Sequence, residues 1–596
     1  MTSTVHRVRK QVARALATLV LAICCGGPAG AQPGGPGELA SVLQTVLLDA
    51  RHPYLSALDV GRHRADLERL YQRRGFTPLW SRNRIPTRQA IDVTAQLRAA
   101  ENVGLRSADY AANALVYLLV DFSTSKSAGD EQWALFDIGL TTAVLAYAHD
   151  VHFGRVDPRA VGLDIAVERA RLDLPPLVEG LSQSGDVAAV LRDLEPPFTH
   201  YELLKPALAL YRELAFDPAL TRLPSLPARS VKPGQAYAGA PQLRALLRAV
   251  GDLPRATAAT EIANSTLLDH ELVEGLKRFQ SRHGLDIDGA LGRKTLATLT
   301  TPISIRVKQI ESTLERWRWL PPRLDSPPII VNIPQFRLFA FRTVQDLEDQ
   351  MLTMDVIVGK TFPSNRTPVF VADMKYIVLR PYWDVPYSLM IKELLPLIRN
   401  NPEYLGSQDL EIVSGGGDAV TPVPATPENI EALERGTLRL RQLPGPNNAL
   451  GLAKFMMPNS YSVYVHGTPA QSLFARSTRA FSHGCVRVAD PVALAEYALR
   501  DDPAWTRDRI VAVMDGELPV QINLRNPIRV FIVYGTAIAT ESGSVMFFED
   551  IYGHDAGWRG SWMRVACRVA RVDRSRLQPS QRRTRPVSRC TKSDLW

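Results

Sequence analysis

Apolar residues recur at three- and four-residue spacing through the first third of the chain, as in Leu43, Val46 and Leu47 and again in Leu67, Leu70 and Tyr71. Such spacing lines one stripe of a helix, and it predicts an α-helical domain over 39–235 that closes at the Pro-rich stretch 224–233. A second helical unit is expected over 242–302. Within it, 276–285 reads as a helix stopped by Gly284, Asp288-Gly289 and Gly292 supply tight turns, and Lys294-Thr295-Leu296 opens another helix. One more helix is expected over 303–320, stopped by Pro321-Pro322.

The period then changes. Ile329-Ile330-Val331-Asn332-Ile333 and Phe336-Arg337-Leu338-Phe339-Ala340-Phe341 are β-rich runs about a Pro334-Gln335 turn, and 354–359, 367–370 and 376–379 continue the strands. This predicts a mostly-β domain over 326–515, interrupted at 387–450 by a helical piece and a Gly/Pro-rich region with Ser414-Gly415-Gly416. An insertion of that kind inside a β domain is a candidate lid. A capped helix over 490–499 and strands over 527–534 and 545–548 follow, the strands lying in a C-terminal extension, 516–558.

At 596 residues the chain exceeds what one core fills, so roughly three or four domains are expected. The net charge of +9 suggests nucleic acid until its distribution is seen. Arg7, Arg9, Lys10 and Arg14 stand without an acid in the first 31 residues. Ten Arg and one Lys face only Asp573 and Asp594 in the tail 559–596, which leaves the stretch between net negative. Nucleic-acid binding by the folded part is therefore not supported. The tail reads as a solvated segment, with adhesion to anionic wall or lipid as the weaker reading.

Residues 1–31 have a basic start, an apolar core over 15–25 and a small-residue end at Ala29-Gly30-Ala31, the plan of an export signal. An uncleaved anchor, or lipidation at Cys24 or Cys25, is the alternative, and contact with a membrane is expected only through this segment or the basic tail. Export leaves Cys485, Cys567 and Cys590. Pairing of the last two in an oxidising compartment would contribute roughly 3 kcal/mol and leave Cys485 as the odd thiol.

Chemistry concentrates in Ala480-Phe481-Ser482-His483-Gly484-Cys485-Val486-Arg487-Val488, where a thiol follows a His-Gly pair and precedes a cation. A free thiol is mostly protonated at neutral pH, so a base or cation must raise its thiolate fraction. His466, in Tyr464-Val465-His466-Gly467-Thr468, is the candidate base on a second strand end. Backbone N–H groups around His483, Gly484 and Cys485 are candidates for an oxyanion site, and Arg487 for holding a carboxylate. His466, His483 and Cys485 could also ligate zinc, but no further Cys or His pair at ligand spacing accompanies them. An unrelated cysteine peptidase would need an Asn or Asp partner that the sequence does not single out. Tyr382 and Trp383, beside Pro386, read as core aromatics or as cleft lining.

These two motifs together resemble the signature of the L,D-transpeptidases with a YkuD-type catalytic domain. The Phe279-Gln280, His283-Gly284-Leu285, Asp288-Gly289 and Gly292-to-Thr295 pattern resembles a small three-helix peptidoglycan-binding domain. The pieces Leu70-Tyr71, Phe76-Thr77-Pro78-Leu79-Trp80 and Gly154-Arg155-Val156-Asp157-Pro158 resemble the helical scaffold domain of the large family members. The implied fold class is multidomain α+β: a helical scaffold domain, the peptidoglycan-binding domain and a mostly-β catalytic domain with a capping insertion.

The resemblance makes Cys485 the nucleophile and His466 the base, with Ser482, His483, Gly484 and Arg487 in support and Gly467, Tyr382 and Trp383 as cleft candidates. It implies an exported enzyme of the periplasm or cell envelope that acts on peptidoglycan stem peptides and glycan strands. No metal or cofactor is implied, and carbapenem β-lactams become expected covalent inhibitors. The expected reaction is acyl transfer from a stem tetrapeptide through a thioester, releasing D-alanine and forming 3→3 cross-links. Water, a D-amino acid or a protein lysine as acceptor stays open, as does a non-catalytic wall-binding scaffold.

Overall fold

The computed structural model describes residues 36–48, 58–125, 128–165, 172–254, 265–321, 324, 326–343, 351–416 and 419–556. The expected export signal, Cys24, Cys25, Cys567, Cys590 and the basic tail lie outside the described residues.

Helices α1 (Pro36–Leu48), α2 (Arg64–Arg73), α3 (Arg88–Arg98), α4 (Ala112–Ser125), α5 (Asp130–Phe153), α6 (Leu174–Leu181) and α7 (Val187–Arg192) share one apolar core. The centre is α5, buried on every side over 133–145 and so surrounded by the others. Its buried Asp137 explains the Tyr71 and Trp80 pieces of the sequence. Tyr71 Oη donates to Asp137 Oδ1 at 2.6 Å, and the Leu79 and Trp80 N–H groups donate to its two oxygens at 3.0 and 2.8 Å. A buried carboxylate needs such donors.

Next, α8 (Thr199–Leu214) packs against α12 (Ile303–Trp317), which leads into the mostly-β unit. The helix expected over 303–320 ends at Trp317, where Arg318, Trp319 and Leu320 turn off into buried positions. Between these two, α9 (Ala240–Ala249), α10 (His270–Arg282) and α11 (Arg293–Leu299) form a small core of their own. Gln280 locks its turn, donating through Nε2 to Asp288 Oδ1 at 2.8 Å and accepting from the Gly289 N–H at 2.9 Å.

The mostly-β unit begins with β1 (Ile329–Asn332), β2 (Arg337–Ala340), β3 (Leu352–Gly359) and β4 (Phe370–Leu379). Residues 367–369, expected as strand, are loop, because the Thr367 side chain and N–H are drawn into hydrogen bonds beneath the site. Four strands then make a separate sheet: β5 (Trp383–Asp384), β6 (Leu410–Ser414), β7 (Thr421–Val423) and β8 (Arg439–Gln442), in the order β7-β6-β8-β5. With α13 (Leu395–Asn400) and α14 (Pro427–Glu434) they enclose a small core and form the inserted cap. The helical piece at its start is broken: a π-helical turn over Met390–Leu394 precedes α13.

The chain returns through β9 (Ala453–Met456), β10 (Val465–His466), β11 (Ala480–Ser482) and β12 (Val486–Val488). Helices α15 (Pro491–Ala498) and α16 (Arg507–Met514), the long bulged β13 (Val520–Val533) and the hairpin β14 (Ala537–Ala539) and β15 (Val545–Phe547) complete it. The main sheet runs β11-β3-β12-β10-β9-β4-β13-β1-β2, and β2 pairs back onto β3, so eight strands close into a barrel with β11 on its edge. Closure removes the open edges on which sheets aggregate. The architecture is multidomain α+β.

Candidate active site

Period-two alternation decides what faces the site. Ala453, Phe455, Val465, Val486 and Val488 point into the barrel core. Their neighbours therefore point the other way. Strand register then sets Lys454 beside His466 on β9 and β10, and His466 beside Arg487 on the parallel pair β10 and β12. Tyr464 and Cys485 occupy the next row on the same face, the Val486 N–H donating to the Tyr464 carbonyl at 3.1 Å. His466 and Cys485 are thus diagonal neighbours on adjacent strands. Two motifs that are separate in sequence make one surface.

That surface carries two cations without carboxylate partners. Neither Lys454 nor Arg487 forms an ion pair among the described residues. Asp384, the acid whose field reaches Lys454, is bound at 3.0 Å by Arg439. Lys454 Nζ instead sits 4.3 Å from the Tyr464 ring centroid, a cation–π contact. Burial pushes both cations below their ordinary values.

His466 lies between them. Burial first, then Arg487 and Lys454, push it down to about 3, while backbone groups of Gly467 and Leu450 offset part of the shift. Its Nδ1 is buried with no partner in hydrogen-bond geometry. The imidazole is therefore neutral, and so able to take a proton.

The Cys485 thiol is half-buried and its Sγ lies 3.9 Å from the Ser462 carbonyl oxygen. Burial raises its pKa, against hydrogen bonds from the Tyr464 backbone and hydroxyl and the attraction of Lys454 and Arg487. At rest the pair is thus neutral thiol and neutral imidazole. A proton passed from this thiol to the imidazole would leave a charge beside Lys454 and Arg487.

The supporting positions divide. Ser482 is buried, donates through Oγ to the Cys485 carbonyl at 2.6 Å and accepts the Gly484 N–H at 3.1 Å, which pins the turn. Gly484 has φ of +124°, a conformation that disfavours any side chain. His483 turns outward: its Nε2 pairs with Glu393 Oε1 of the cap's π turn at 2.8 Å and lies 3.4 Å from Lys360 Nζ. Gly467 holds the end of β10, its N–H donating to the Ala453 carbonyl at 2.9 Å. Of the two aromatics, Trp383 offsets part of the rise that burial causes in the Tyr464 hydroxyl's pKa, whereas Tyr382 lies under the Arg441 guanidinium at 4.1 Å. Among the described residues no group of three His, Cys, Asp or Glu could hold a metal ion, and no helix is long and apolar enough to cross a membrane.

Set against known families, residues 327–522 match the YkuD model, described as the L,D-transpeptidase catalytic domain. The barrel is an L,D-transpeptidase catalytic domain. Ahead of this transpeptidase domain, residues 239–299 match a family described as "Putative peptidoglycan binding domain" and residues 65–208 match the Scaffold domain. Over 227 residues the chain is 36% identical to a Haemophilus influenzae protein named "Putative L,D-transpeptidase". That alignment spans 38% of this chain and 44% of the relative.

Motif reading found the thiol, both histidines and the arginine of the transpeptidase domain. The motifs assign no role to Lys454, a polar residue inside an apolar strand, or to Tyr464. The signal was present in each case: the alternation of 453–456 and 464–466 sends both residues to the face that bears His466.

Proposed function

We propose that this protein is a cysteine-dependent L,D-transpeptidase of the exported cell envelope that forms 3→3 peptidoglycan cross-links. The observation that carries the reading is the single sheet face on which Cys485, neutral His466 and two cations with no carboxylate partner among the described residues, Lys454 and Arg487, stand together. In the proposed cycle Cys485 Sγ attacks the carbonyl of the third residue of a donor stem tetrapeptide while His466 takes the thiol proton. The carbonyl electron pair moves to oxygen and returns, the C–N bond to D-alanine breaks, and His466 gives its proton to the leaving amine. An amine on a neighbouring stem peptide then attacks the thioester, and the thiol is released. No step calls for a metal or cofactor.

The cations suit both the transient charge and the carboxylates of stem peptides. Lys294 of the peptidoglycan-binding domain donates to Thr478 at 3.2 Å, just ahead of β11, which supports delivery of wall polymer to the cleft. Carbapenems, whose strained carbonyl mimics the donor, are expected to acylate Cys485.

Incubation of the mature protein with purified disaccharide-tetrapeptide, wild type beside Cys485→Ala, tests the reading through tandem mass spectrometry of the products. Expected are 3→3 dimers and free D-alanine from wild type alone. Free tripeptide without dimer would move the acceptor to water. No product from a folded protein that still binds sacculi would leave a wall-binding scaffold.

A further inference from the structure

The turn that carries Cys485 is held from behind, in part by residues beyond position 522, where the catalytic-domain match ends. Gly484 and Cys485 share one peptide group. Its carbonyl oxygen accepts from Thr367 Oγ1 at 2.8 Å, and that hydroxyl also accepts the Gly359 N–H at 2.8 Å. No cis peptide occurs among the described residues, so the N–H of the same group, that of Cys485, points away from Thr367. The neighbouring amides are engaged, Gly484 by Ser482 Oγ and Val486 by the Tyr464 carbonyl. The Cys485 N–H has no acceptor among the described residues.

Thr367 is in turn fixed by Tyr552. The Thr367 N–H donates to Tyr552 Oη at 3.1 Å, and Tyr552 Oη donates to the Gly359 carbonyl at 2.7 Å, both bonds buried. One phenol thus clamps the two ends of the loop between β3 and β4. The clamp tolerates no slack: a Cβ on Gly359 would stand 2.0 Å from the Asn365 carbonyl oxygen. Tyr552 is itself seated, its N–H donating to Tyr534 Oη at 2.9 Å and Tyr534 Oη to Asp550 at 2.7 Å. The extension also meets α12, whose Gln309 donates to the Phe548 carbonyl at 2.9 Å.

We propose that Thr367 and Tyr552 are positioning residues for the oxyanion donor: acting through Gly484, they aim the Cys485 N–H at the oxygen of the tetrahedral adduct. The inference rests on the transpeptidase reading. When Sγ bonds to the scissile carbonyl carbon, the C=O pair moves to oxygen, and that charge exists only until the bond to the leaving amine breaks. A donor already aimed at it reorganises nothing during the step. A peptide plane free to turn has to be aligned each time, at a cost in rate and none in ground-state binding.

Two reagents separate aim from reactivity. Acylation by disaccharide-tetrapeptide or a carbapenem passes through an oxyanion, whereas alkylation by iodoacetamide displaces iodide and needs only the thiolate. In Tyr552→Phe, acylation of Cys485 followed by intact mass is expected to slow roughly tenfold to a hundredfold at saturation. Half-saturation should stay within about twofold, and alkylation should match wild type. Thr367→Val, which keeps volume and the N–H that Tyr552 accepts but loses Oγ1, should behave alike, with Thr367→Ser restoring the rate. Equal slowing of both reagents, or acylation as fast as wild type in Thr367→Val, would overturn the proposal. Wild type that alkylates but is never acylated would instead defeat the transpeptidase reading beneath it.

Discussion

Two buried histidines, one in the barrel and one in the peptidoglycan-binding domain, have the same electrostatics and different surroundings. His466 and His283 are both buried, both lie beside guanidinium groups, and both are pushed below the ordinary histidine value, burial being the larger cause. His283 is stacked between Phe279 at 3.8 Å and Phe547 at 5.8 Å, and its Nδ1 is 2.8 Å from the Phe279 carbonyl. Arg282 beside it donates to Asp252 and to the Val545 carbonyl, so this histidine is part of the joint between α10 and the β14–β15 hairpin. His466 has an unpartnered Nδ1 and a thiol on the next strand. A lowered pKa therefore marks burial, and it is the neighbouring thiol that makes His466, and not His283, the proposed base.

The comparison breaks most sharply under substitution. His466→Gln is expected to slow acylation of Cys485 by on the order of 10²–10⁴ with little change in melting temperature. His283→Ala should do the reverse, destabilising the protein by about 1–3 kcal/mol in thermal or urea unfolding while Cys485 in the folded molecule acylates at the wild-type rate. Comparable rate losses from the two would dissolve the distinction.

Their shared neutrality predicts a pH dependence of stability. Unfolded, each titrates near 6.5; folded, His466 titrates at about 3 and His283 well below its ordinary value. Between these limits the unfolded chain holds more protons, so each histidine's contribution is intact above pH 6.5 and is lost as pH falls. His283→Phe keeps the aromatic stack and removes one such proton. Its unfolding free energy should fall less steeply than that of wild type between pH 6.5 and 4, by a slope of up to about one proton. Parallel curves would show that His283 is charged in the folded state.

Smaller effects sharpen the site itself. His483 meets Glu393 across an exposed pair worth about 0–1 kcal/mol, so His483→Ala should slow acylation less than about fivefold. A loss equal to that of His466→Gln would exchange their roles. Lys454→Met takes away a cation that favours the thiolate, and the Cys485 alkylation midpoint, already above the usual thiol value, should rise by up to about one pH unit. An unmoved midpoint would make Lys454 a packing residue.

How much of this was legible in the sequence follows from how far apart the interacting residues lie. The switch from helical to strand periodicity near residue 326 is local, and the barrel follows it. The thiol, the His-Gly turns and Arg487 sit in two short runs, so the motif exposes them. Lys454 and Tyr464 join the site only through register, since pairing of Lys454 with His466 decides that their side chains share a face. Thr-Pro-Val-Phe reads as strand from its β propensity; the Thr367 hydroxyl is instead taken by the nearby Gly359 N–H and by the Gly484 carbonyl, the latter across 117 positions. Tyr552 lies in an extension whose sequence has no catalytic signal, and its hydroxyl finds a use only once the loop between β3 and β4 is folded against it.

The most direct test of the central claim is the mass and location of a covalent adduct. The full-length mature protein would be incubated with a carbapenem and with disaccharide-tetrapeptide, measured intact and then mapped by peptide sequencing. The account predicts one adduct per chain on Cys485, slowed in His466→Gln and absent in Cys485→Ala. An adduct on another residue, or an undiminished adduct in Cys485→Ala, would contradict it.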